Sequence, residues 1–251
     1  MKETFYQNLL IFGHRGASAR APENTLAAFR LAANLGADGV ECDVQLSRDG
    51  YVVICHDETI DRTTDGSGPV RCFTLAELQT FDAGAWFGPA FAGEHIPTLQ
   101  EAIDQLGDQL LFNIELKSTP LHAHGRLEEA VAKVVQSNSL HDRVIVSSFD
   151  PFALRRLHHI DRRIHLGLLY APKMPLIYRK AWLRWLAPCQ AMHPHHTLVN
   201  PSYMQWARRN RYRVNTWTVD EPAEMRRLVG LGVNCIITNR PDVLREALGS
   251  N

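Results

Sequence analysis

The feature that most constrains the fold is a repeated alternation of short apolar runs and helical stretches along the 251 residues. The apolar runs have the length of buried strands, and most are followed by a stretch whose apolar residues recur at helical spacing. Strands that alternate with helices indicate a parallel sheet. The predicted strands are residues 8–13, 39–46, 110–117, 143–149, 164–170, 189–193, 212–219 and 233–238.

Eight strands in a chain of this length favour an α/β fold of the (β/α)8 TIM barrel type over an open, doubly wound sheet. Helix-boundary residues support this prediction. Asn24 or Thr25 can cap the first helix, and Gly36 can end it. Capping-box spacing, in which two side chains satisfy the free amides of a helix start, occurs from Thr74 and again from Thr98.

Residues 58–97 interrupt the alternation with a stretch rich in Gly, Asp and Thr. We predict a small insertion after the second strand region, within a single domain over residues 1–251. Loops on the catalytic face of a barrel vary in length while the barrel is retained, so the insertion is expected on that face. Trp86 and Phe87 either line a pocket there or pack the insertion onto the barrel.

Composition restricts the partners and the compartment. The formal net charge is zero, which argues against a nucleic acid or an anionic membrane as the partner. The five cysteines are scattered and odd in number, as expected for free thiols in a reducing compartment. The apolar run at residues 9–12 is too short for a signal-peptide core or a membrane span. We therefore expect a cytoplasmic protein without stable membrane insertion.

An acidic pair lies within the second predicted strand. Alternate side chains of a strand share a face, so Glu41 and Asp43 point together and Cys42 points away. If that face looks into the lumen of a barrel, a bare carboxylate pair is costly unless another group compensates it. A divalent cation is the simplest compensation, and arginine pairing at a strand end is the alternative.

The same alternation recurs in the third predicted strand, where Asn113, Glu115 and Lys117 share one face. Glu115 is therefore a candidate third ligand, and Lys117 a cation beside it. Three carboxylates without cysteine or histidine at ligand spacing favour Mg²⁺ or Ca²⁺ over Zn²⁺.

Two histidines follow apolar runs, His14 after residues 8–13 and His56 after residues 51–55. Histidine titrates near neutral pH, so two histidines beside a phosphate could take and give a proton in one cycle. Arg15 offers a planar pair of donors to phosphate oxygens. Among the other histidines, His193 and His195 share a face near the end of a late strand.

Taken in order along the chain, these residues resemble the glycerophosphodiester phosphodiesterase family, of the cytoplasmic bacterial type. The resemblance extends from about residue 11 to residue 242 and rests on seven short segments. They are His14-Arg15-Gly16, Pro22-Glu23-Asn24-Thr25, Glu41-x-Asp43, His56-Asp57, Glu115-Leu116-Lys117, Asn215-x-Trp217-Thr218 and Thr238-Asn239-Arg240-Pro241.

The resemblance implies metal-dependent hydrolysis of a small-molecule glycerophosphodiester to glycerol 3-phosphate and an alcohol. It also implies that Glu41, Asp43 and Glu115 bind one divalent cation, Mg²⁺ or Ca²⁺. His14 and His56 would be the general acid and base, and the sequence does not determine which is which. The attacking group, water or the neighbouring hydroxyl of the substrate, is equally undetermined.

The resemblance further implies phosphate contacts by Arg15 and Lys117 and an aromatic wall beside the glycerol formed by Trp217. Residues 58–97 correspond to the insertion typical of the family. Residues 22–25 we interpret as helix capping and loop support below the site, without a part in the chemistry.

Two other functions remain compatible with the sequence. A lipid phosphodiesterase of the lysophospholipase D type would need an apolar entrance, for which residues 174–186 are the candidate, although an amphipathic barrel helix is the more ordinary interpretation. A non-catalytic metabolite-binding barrel would be expected to lack one of the histidines or carboxylates. The sequence determines neither the head-group preference nor the oligomeric state.

Overall fold

The computed structural model describes residues 9–117, 126–176 and 181–249. Eight parallel strands form a closed barrel, because the first strand pairs both with the second and with the last. A ninth strand, β3, is antiparallel to β2 and lies outside the barrel order. The strands are β1 (Leu10–His14), β2 (Gly39–Leu46), β3 (Val52–Ile54), β4 (Leu111–Leu116), β5 (Val144–Ser148), β6 (His165–Tyr170), β7 (Ala191–Pro194), β8 (Arg213–Thr216) and β9 (Cys235–Thr238).

The predicted (β/α)8 TIM barrel is therefore confirmed, and each of the eight predicted strands corresponds to one barrel strand. Short 3-10 helices occur at Val70–Cys72, Pro89–Phe91, Trp182–Leu186 and His196–Leu198. The α-helices of the described residues are α1 (Leu26–Asn34), α2 (Leu75–Leu78), α3 (Leu99–Leu106), α4 (Arg126–Ser137), α5 (Pro151–Ile160), α6 (Pro201–Arg209), α7 (Pro222–Leu231) and α8 (Pro241–Gly249).

Helix caps form where the sequence predicts them. Thr25, and not Asn24, caps α1, its Oγ1 accepting a hydrogen bond from the backbone amide of Ala28. Both predicted capping boxes, starting at Thr74 and Thr98, are complete. Gly36 follows α1 with φ +79°, a left-handed conformation that suits glycine. These caps fix where each helix begins and so how each loop leaves the barrel.

The lumen of the barrel has an apolar lower part and a polar upper part. The apolar part is filled by side chains from alternate strand positions, and Trp217 packs against it from above. Its members are Leu10, Phe12, Leu111, Ile145, Ala191, Cys235 and Ile237. The polar side chains of the upper part therefore rest on a closed floor rather than on a pore.

The predicted insertion has a small core of its own, formed by residues between Val53 and Ile96. Trp86 and Phe87 meet edge to face with ring centroids 5.6 Å apart, and Phe87 meets Phe91 in the same way. These rings pack on each other within the insertion. The assignment of the whole chain to a single domain stays a prediction.

The segment considered as an apolar entrance lies partly outside the described residues, which omit 177–180. Its described end is the 3-10 helix Trp182–Leu186 rather than an α-helix. Leu176 and Trp185 are exposed there. Within the described ranges, no helix combines the length and the apolar character needed to cross a membrane.

Candidate active site

The polar upper lumen collects the predicted site residues at the carboxyl ends of neighbouring strands. His14 ends β1, Glu41 and Asp43 lie on β2, and Glu115 lies on β4. Strand register places His14 opposite Glu41, and Asp43 opposite Glu115. The carboxyl ends of barrel strands are where barrel enzymes have their active sites.

Three carboxylates meet in this cluster, which we call the acidic triad: Glu41, Asp43 and Glu115. One oxygen from each lies within 4.8 Å of the others, and all three residues are buried. Lys117, directly after β4, places its Nζ 2.9 Å from Asp43 Oδ1 and 2.6 Å from Glu115 Oε1. Arg15 Nε lies 3.2 Å from Asp43 Oδ2. Both cations thus contact Asp43, and Lys117 also contacts Glu115.

Unequal pairing gives the three carboxyl groups different proton affinities. Burial raises the pKa of Asp43, but Lys117 and Arg15 outweigh it and lower that pKa to about 2. Burial, reinforced by Asp43, raises the pKa of Glu115 to about 7. Burial and the two neighbouring carboxylates raise the pKa of Glu41 well above its usual value. Within the described residues, Glu41 Oε1 is buried without a hydrogen-bond partner. Glu41 is therefore the member of the triad that most needs a further cation.

The turn after β1 holds Arg15 against the acidic triad. Arg15 itself is left-handed, with φ 55°, and its backbone amide donates to Glu41 Oε2 at 3.1 Å. Gly16 follows with φ +88°, and a Cβ there would lie 2.6 Å from the backbone of Ala28 in α1. The glycine is therefore required for the close packing of this turn on the helix.

Residues 22–25 lie closer to the chemistry than the sequence suggests. Asn24 Nδ2 donates to Asp43 Oδ2 at 2.8 Å, and Glu23 Oε1 accepts from Arg15 at 2.7 Å. Thr25 provides the predicted helix cap, and Glu23 and Asn24 support the site by contacting its charged residues directly. The sequence does not separate these roles, because Asn24 and Thr25 are both possible caps of α1 and only the structure shows that Thr25 caps it.

His14 is fixed from behind by the loops after β8 and β9. Its Nδ1 lies 2.7 Å from Asn239 Oδ1, and its Nε2 lies 4.0 Å from Glu41 Oε2. Asn239 Nδ2 in turn donates to Asp220 Oδ2 at 2.6 Å. Burial, reinforced by Arg15, lowers the pKa of His14 to about 4, so the ring is neutral at neutral pH.

His56 has a different kind of partner. Its Nδ1 lies 2.6 Å from Asp57 Oδ1, so the ring contacts a carboxylate rather than an amide. Gln45, on the same face of β2 as the acidic pair, donates to the backbone carbonyls on both sides of His56, at 2.9 Å to Cys55 and 2.5 Å to Asp57. Burial lowers the pKa of His56, and the hydrogen bond to Asp57 opposes that change.

Arg62, from the insertion, contacts both the carboxylate beside His56 and the carboxylate that holds Arg15. Its Nε donates to Asp57 Oδ2 at 2.7 Å, and its two terminal nitrogens donate to the carboxylate of Glu23 at 2.7 and 2.8 Å. Glu23 also holds Arg15. The predicted insertion therefore contacts the site through a charged side chain, which its composition did not indicate.

Trp217 stands at the mouth of the barrel, as a wall beside a substrate would. Its indole N–H donates to the carbonyl of His193 at 2.8 Å, and its ring meets Phe149 and His195 edge to face, both with centroids 5.5 Å away. His193 is fully buried and pairs with Asn215 at 3.0 Å. His193 thus orients the wall, and His195 forms part of it.

Besides Glu23, Asn24 and Arg62, further residues that contact the site were not singled out as site residues from the sequence, among them Gln45, Phe149, Asp220 and Asn239. Gln45 could have been found, because it follows Glu41 and Asp43 at the same two-residue spacing. Asn239 occurs in a segment that carries the family resemblance. Phe149 and Asp220 follow strands without a distinguishing pattern.

Comparison with known proteins gives a consistent result. The model of the glycerophosphoryl diester phosphodiesterase family matches residues 14–243. A glycerophosphodiester phosphodiesterase from Caldanaerobacter subterraneus subsp. tengcongensis is 42% identical over 236 residues, covering 94% of this chain and 96% of the relative. A Bacillus subtilis glycerophosphodiester phosphodiesterase is 31% identical over 252 residues, covering 95% of this chain and 86% of the relative.

Solved structures agree with the sequence relatives. A phosphodiesterase from Oleispira antarctica, solved in complex with the product sn-glycerol-3-phosphate, superposes with a TM-score of 0.88 at 32% identity. The match covers 96% of this chain and 97% of that protein. The glycerophosphodiester phosphodiesterase from Agrobacterium tumefaciens gives a TM-score of 0.83 at 28% identity, covering 95% of this chain and 99% of that one.

Proposed function

This chain belongs to the glycerophosphoryl diester phosphodiesterase family, and we propose that it hydrolyses glycerophosphodiesters to glycerol 3-phosphate and an alcohol. The observation that carries this proposal is the buried acidic triad between two histidines at the carboxyl end of the barrel. The product found in the Oleispira relative, glycerol 3-phosphate, supports the same reaction.

Glu41, Asp43 and Glu115 would hold one divalent cation. The fit is supported by the buried, unpartnered Oε1 of Glu41 and by the raised pKa values of both glutamates, since a cation would relieve the repulsion. All-oxygen ligands favour Mg²⁺ or Ca²⁺. When bound, the ion would supply positive charge that stabilises the more charged transition state of phosphodiester hydrolysis.

Arg15 and Lys117 would contact the phosphate. Both side chains are held beside the triad by carboxylates, Arg15 between Asp43 and Glu23, and Lys117 between Asp43 and Glu115. Positively charged side chains that are held in place before the substrate binds need not rearrange during the reaction. Fixed charges contribute most to catalysis for this reason.

The two histidines would divide the proton transfers according to their partners. His14, neutral and held by an amide, would act as the base: its Nε2 takes a proton from the attacking water or hydroxyl as the new O–P bond forms. His56 would act as the acid, because the carboxylate of Asp57 favours its imidazolium form and opposes the burial that lowers its pKa. It gives its proton to the alkoxide as the P–O bond to the alcohol breaks.

Trp217 would pack its indole face against the carbon atoms of the glycerol, with Phe149 and His195 holding the ring upright. The hydrogen bond to the His193 carbonyl fixes the plane of the indole. In this proposal the aromatic contact is made to the glycerol and not to the leaving alcohol. We therefore expect the enzyme to recognise glycerol and phosphate, and to discriminate poorly between alcohols.

The substrate would be a small molecule met in the cytoplasm. All five cysteines are free, and four of them are buried, as suits a reducing compartment. The formal net charge of zero gives no general attraction to nucleic acid.

The test is release of glycerol 3-phosphate from glycerophosphodiesters with choline, ethanolamine and glycerol head groups, in Mg²⁺, in Ca²⁺ or in a chelator. We expect turnover with a divalent cation and none after chelation. Lysophospholipids in the same panel test the lipid alternative, for which the exposed Leu176 and Trp185 are the supporting observation. Faster hydrolysis of lysophospholipids than of every glycerophosphodiester would overturn the substrate assignment.

The same reaction can identify the attacking group. In ¹⁸O-labelled water, direct attack places the label in glycerol 3-phosphate without a detectable intermediate. Attack by the neighbouring hydroxyl gives a cyclic glycerol phosphate first, which ³¹P NMR resolves.

A further inference from the structure

An amide and a carboxylate stand in series behind His14. Asn239 lies after β9 and Asp220 after β8, so two separate loops meet at this histidine. The Asp220 carboxylate accepts three hydrogen bonds: its Oδ1 accepts from the Asn239 backbone amide at 2.8 Å and from Thr238 Oγ1 at 3.0 Å, and its Oδ2 accepts from Asn239 Nδ2 at 2.6 Å. Asp220 therefore fixes both the backbone and the side chain of Asn239.

The chemistry of these groups determines which way the amide points. An ionised carboxylate can only accept, so the NH₂ group of Asn239 must face Asp220. The carbonyl oxygen of Asn239 then faces His14 and Ser18, at 2.7 Å from each. A carbonyl oxygen can only accept, so the His14 Nδ1 that contacts it must carry a proton.

We propose that Asn239, oriented by Asp220, is a positioning residue that keeps neutral His14 in the Nδ1–H tautomer. The lone pair of Nε2 then faces the side of the acidic triad, where Glu41 Oε2 lies 4.0 Å away. This inference rests on the proposed function, in which His14 is the base. The base must present an unprotonated nitrogen to the attacking water or hydroxyl, and the wrong tautomer would present an N–H instead.

An amide suits this position better than a carboxylate. His56 contacts the carboxylate of Asp57 directly, and that contact favours its protonated ring. Asn239 sets the orientation and tautomer of His14 without adding a negative charge that would favour imidazolium. The two histidines thus receive partners that match a base and an acid.

The proposal can be tested by a substitution that changes only which atoms donate and which accept hydrogen bonds. In Asp220→Asn, the oxygen of the new amide should remain opposite its two fixed donors, Thr238 Oγ1 and the Asn239 backbone amide. Its NH₂ would then face Asn239, which must turn its own oxygen toward residue 220 and its NH₂ toward His14. Ser18 can follow, because its hydroxyl can donate to the His14 carbonyl alone, 2.7 Å away. His14 should therefore switch to the Nε2–H tautomer.

The measurement is ¹⁵N NMR of histidine-labelled protein in Mg²⁺ buffer at about pH 8, above the ordinary pKa of histidine. The His14 signals are identified by their loss in His14→Gln. We expect Nδ1–H in the wild-type protein and Nε2–H in Asp220→Asn. The matched control, Asp57→Asn, should change the His56 signals and leave those of His14 unchanged.

The double variant Asp220→Asn/Asn239→Asp exchanges the carboxylate and the amide and should restore Nδ1–H, because residue 239 again presents only an acceptor to His14. A merely structural role would not produce this reversal. In serine proteases the Asp→Asn change that gives the wrong tautomer lowers kcat about 10⁴-fold. Because Asp220 acts through a second residue, we expect a smaller loss of about 10²-fold in Asp220→Asn, with KM little changed.

Nε2–H in the wild-type protein, or Nδ1–H retained in Asp220→Asn, would overturn the proposal. Because the wild-type spectrum alone can do so, poor folding of a variant does not remove the test. The tautomer is observed without substrate, so a wild-type protein that shows Nδ1–H but hydrolyses no glycerophosphodiester would refute the proposed function and not the positioning of His14.

Discussion

Two isosteric changes on one strand should shift the stability of the cation-free protein in opposite directions. Glu41→Gln and Asp43→Asn each replace a buried carboxylate with an amide, two residues apart on β2. From the sequence alone, either change should relieve repulsion between like charges. In the structure the relief applies only to Glu41, because Asp43 contacts both cations and accepts a hydrogen bond from Asn24.

The magnitude for Asp43 follows from its pKa, which falls from 3.8 to about 2 on folding. Each pH unit corresponds to about 1.4 kcal/mol, so the ionised carboxylate contributes about 2 kcal/mol to stability at neutral pH. This contribution is complete above the unfolded pKa and is lost as the pH falls through the folded pKa. Asp43→Asn should therefore lower the free energy of unfolding at pH 7 by about 2 kcal/mol. Glu41→Gln should raise it, because burial and its neighbours raise the pKa of Glu41.

Urea unfolding at pH 7 in a chelator and in saturating Mg²⁺ is the assay, with linear extrapolation to water. In chelator the two variants should lie on opposite sides of the wild type. In Mg²⁺ at about 100 times the dissociation constant, the wild type should gain about 2.7 kcal/mol, and both variants should lose most of that gain together with activity. A stability change of the same sign for both variants in chelator would refute the charge assignment.

The remaining predictions concern catalysis, pH and specificity. His14→Ala and His56→Ala should each lower kcat by at least about 10²-fold, and the effects should be far from additive in the double variant because the pair serves one proton cycle. Steady-state kinetics is the measurement, and a histidine whose single variant keeps near-wild-type turnover has only a structural role. In chelator, Glu115→Gln should gain stability relative to the wild type as the pH rises from 4.5 to about 7, because folding raises the pKa of Glu115 over that interval and its ionisation is costlier in the folded protein. The difference between the two proteins is the test, since the lowered pKa of His14 changes the stability of both in the opposite direction. Urea unfolding across pH checks this, and a difference that does not change with pH contradicts it. For choline, ethanolamine and glycerol leaving groups, kcat/KM should agree within about tenfold, or about 1.4 kcal/mol, and Trp217→Ala should lower kcat/KM for all three alike. The control substrate is bis(p-nitrophenyl) phosphate, which has no glycerol. Equal kcat/KM on this control would mean that glycerol is not recognised.

The barrel can be predicted from local sequence patterns, because each barrel strand and most helices have a recognisable spacing of apolar residues. The eight apolar runs, the capping boxes at Thr74 and Thr98, and the helix start at Thr25 are all local signals. β3 was not predicted as a strand, since Val52–Ile54 is too short to show alternation. It pairs with β2 as a hairpin, so its position depends on a partner rather than on its own pattern.

The carboxylates that meet in the acidic triad could be predicted from the sequence, but the ion pairs that each of them forms could not. Strand alternation places Glu41 beside Asp43, as the sequence indicates. Which carboxylate receives the cations depends on contacts between β2 and the residues just after β1 and β4, which are 28 and 74 positions from Asp43 in the sequence. No local pattern records that both Arg15 and Lys117 reach Asp43 while Glu41 reaches neither through an ion pair. This difference reverses the sign of one predicted stability change.

A series of ion pairs of alternating charge runs through the site and includes Arg62 of the insertion. Asp43 contacts Arg15, Arg15 contacts Glu23, Glu23 contacts Arg62, and Arg62 contacts Asp57. Each contact joins opposite charges, and the partly buried ones are less screened by solvent than surface pairs. The series begins at a carboxylate of the acidic triad and ends at the carboxylate that holds the second histidine.

One consequence is that Arg62 orients two functional groups together. It fixes Asp57, which sets the ring of His56, and it fixes Glu23, which sets Arg15. In the proposed mechanism, the acid that protonates the leaving alkoxide and the cation that contacts the phosphate act on the same phosphodiester group, so their separation matters more than the position of either. A single guanidinium with its donors in a rigid plane can hold both carboxylates at a constant distance, which a lysine ammonium could not do. The insertion therefore contributes to the geometry of the site through this arginine rather than merely covering the barrel.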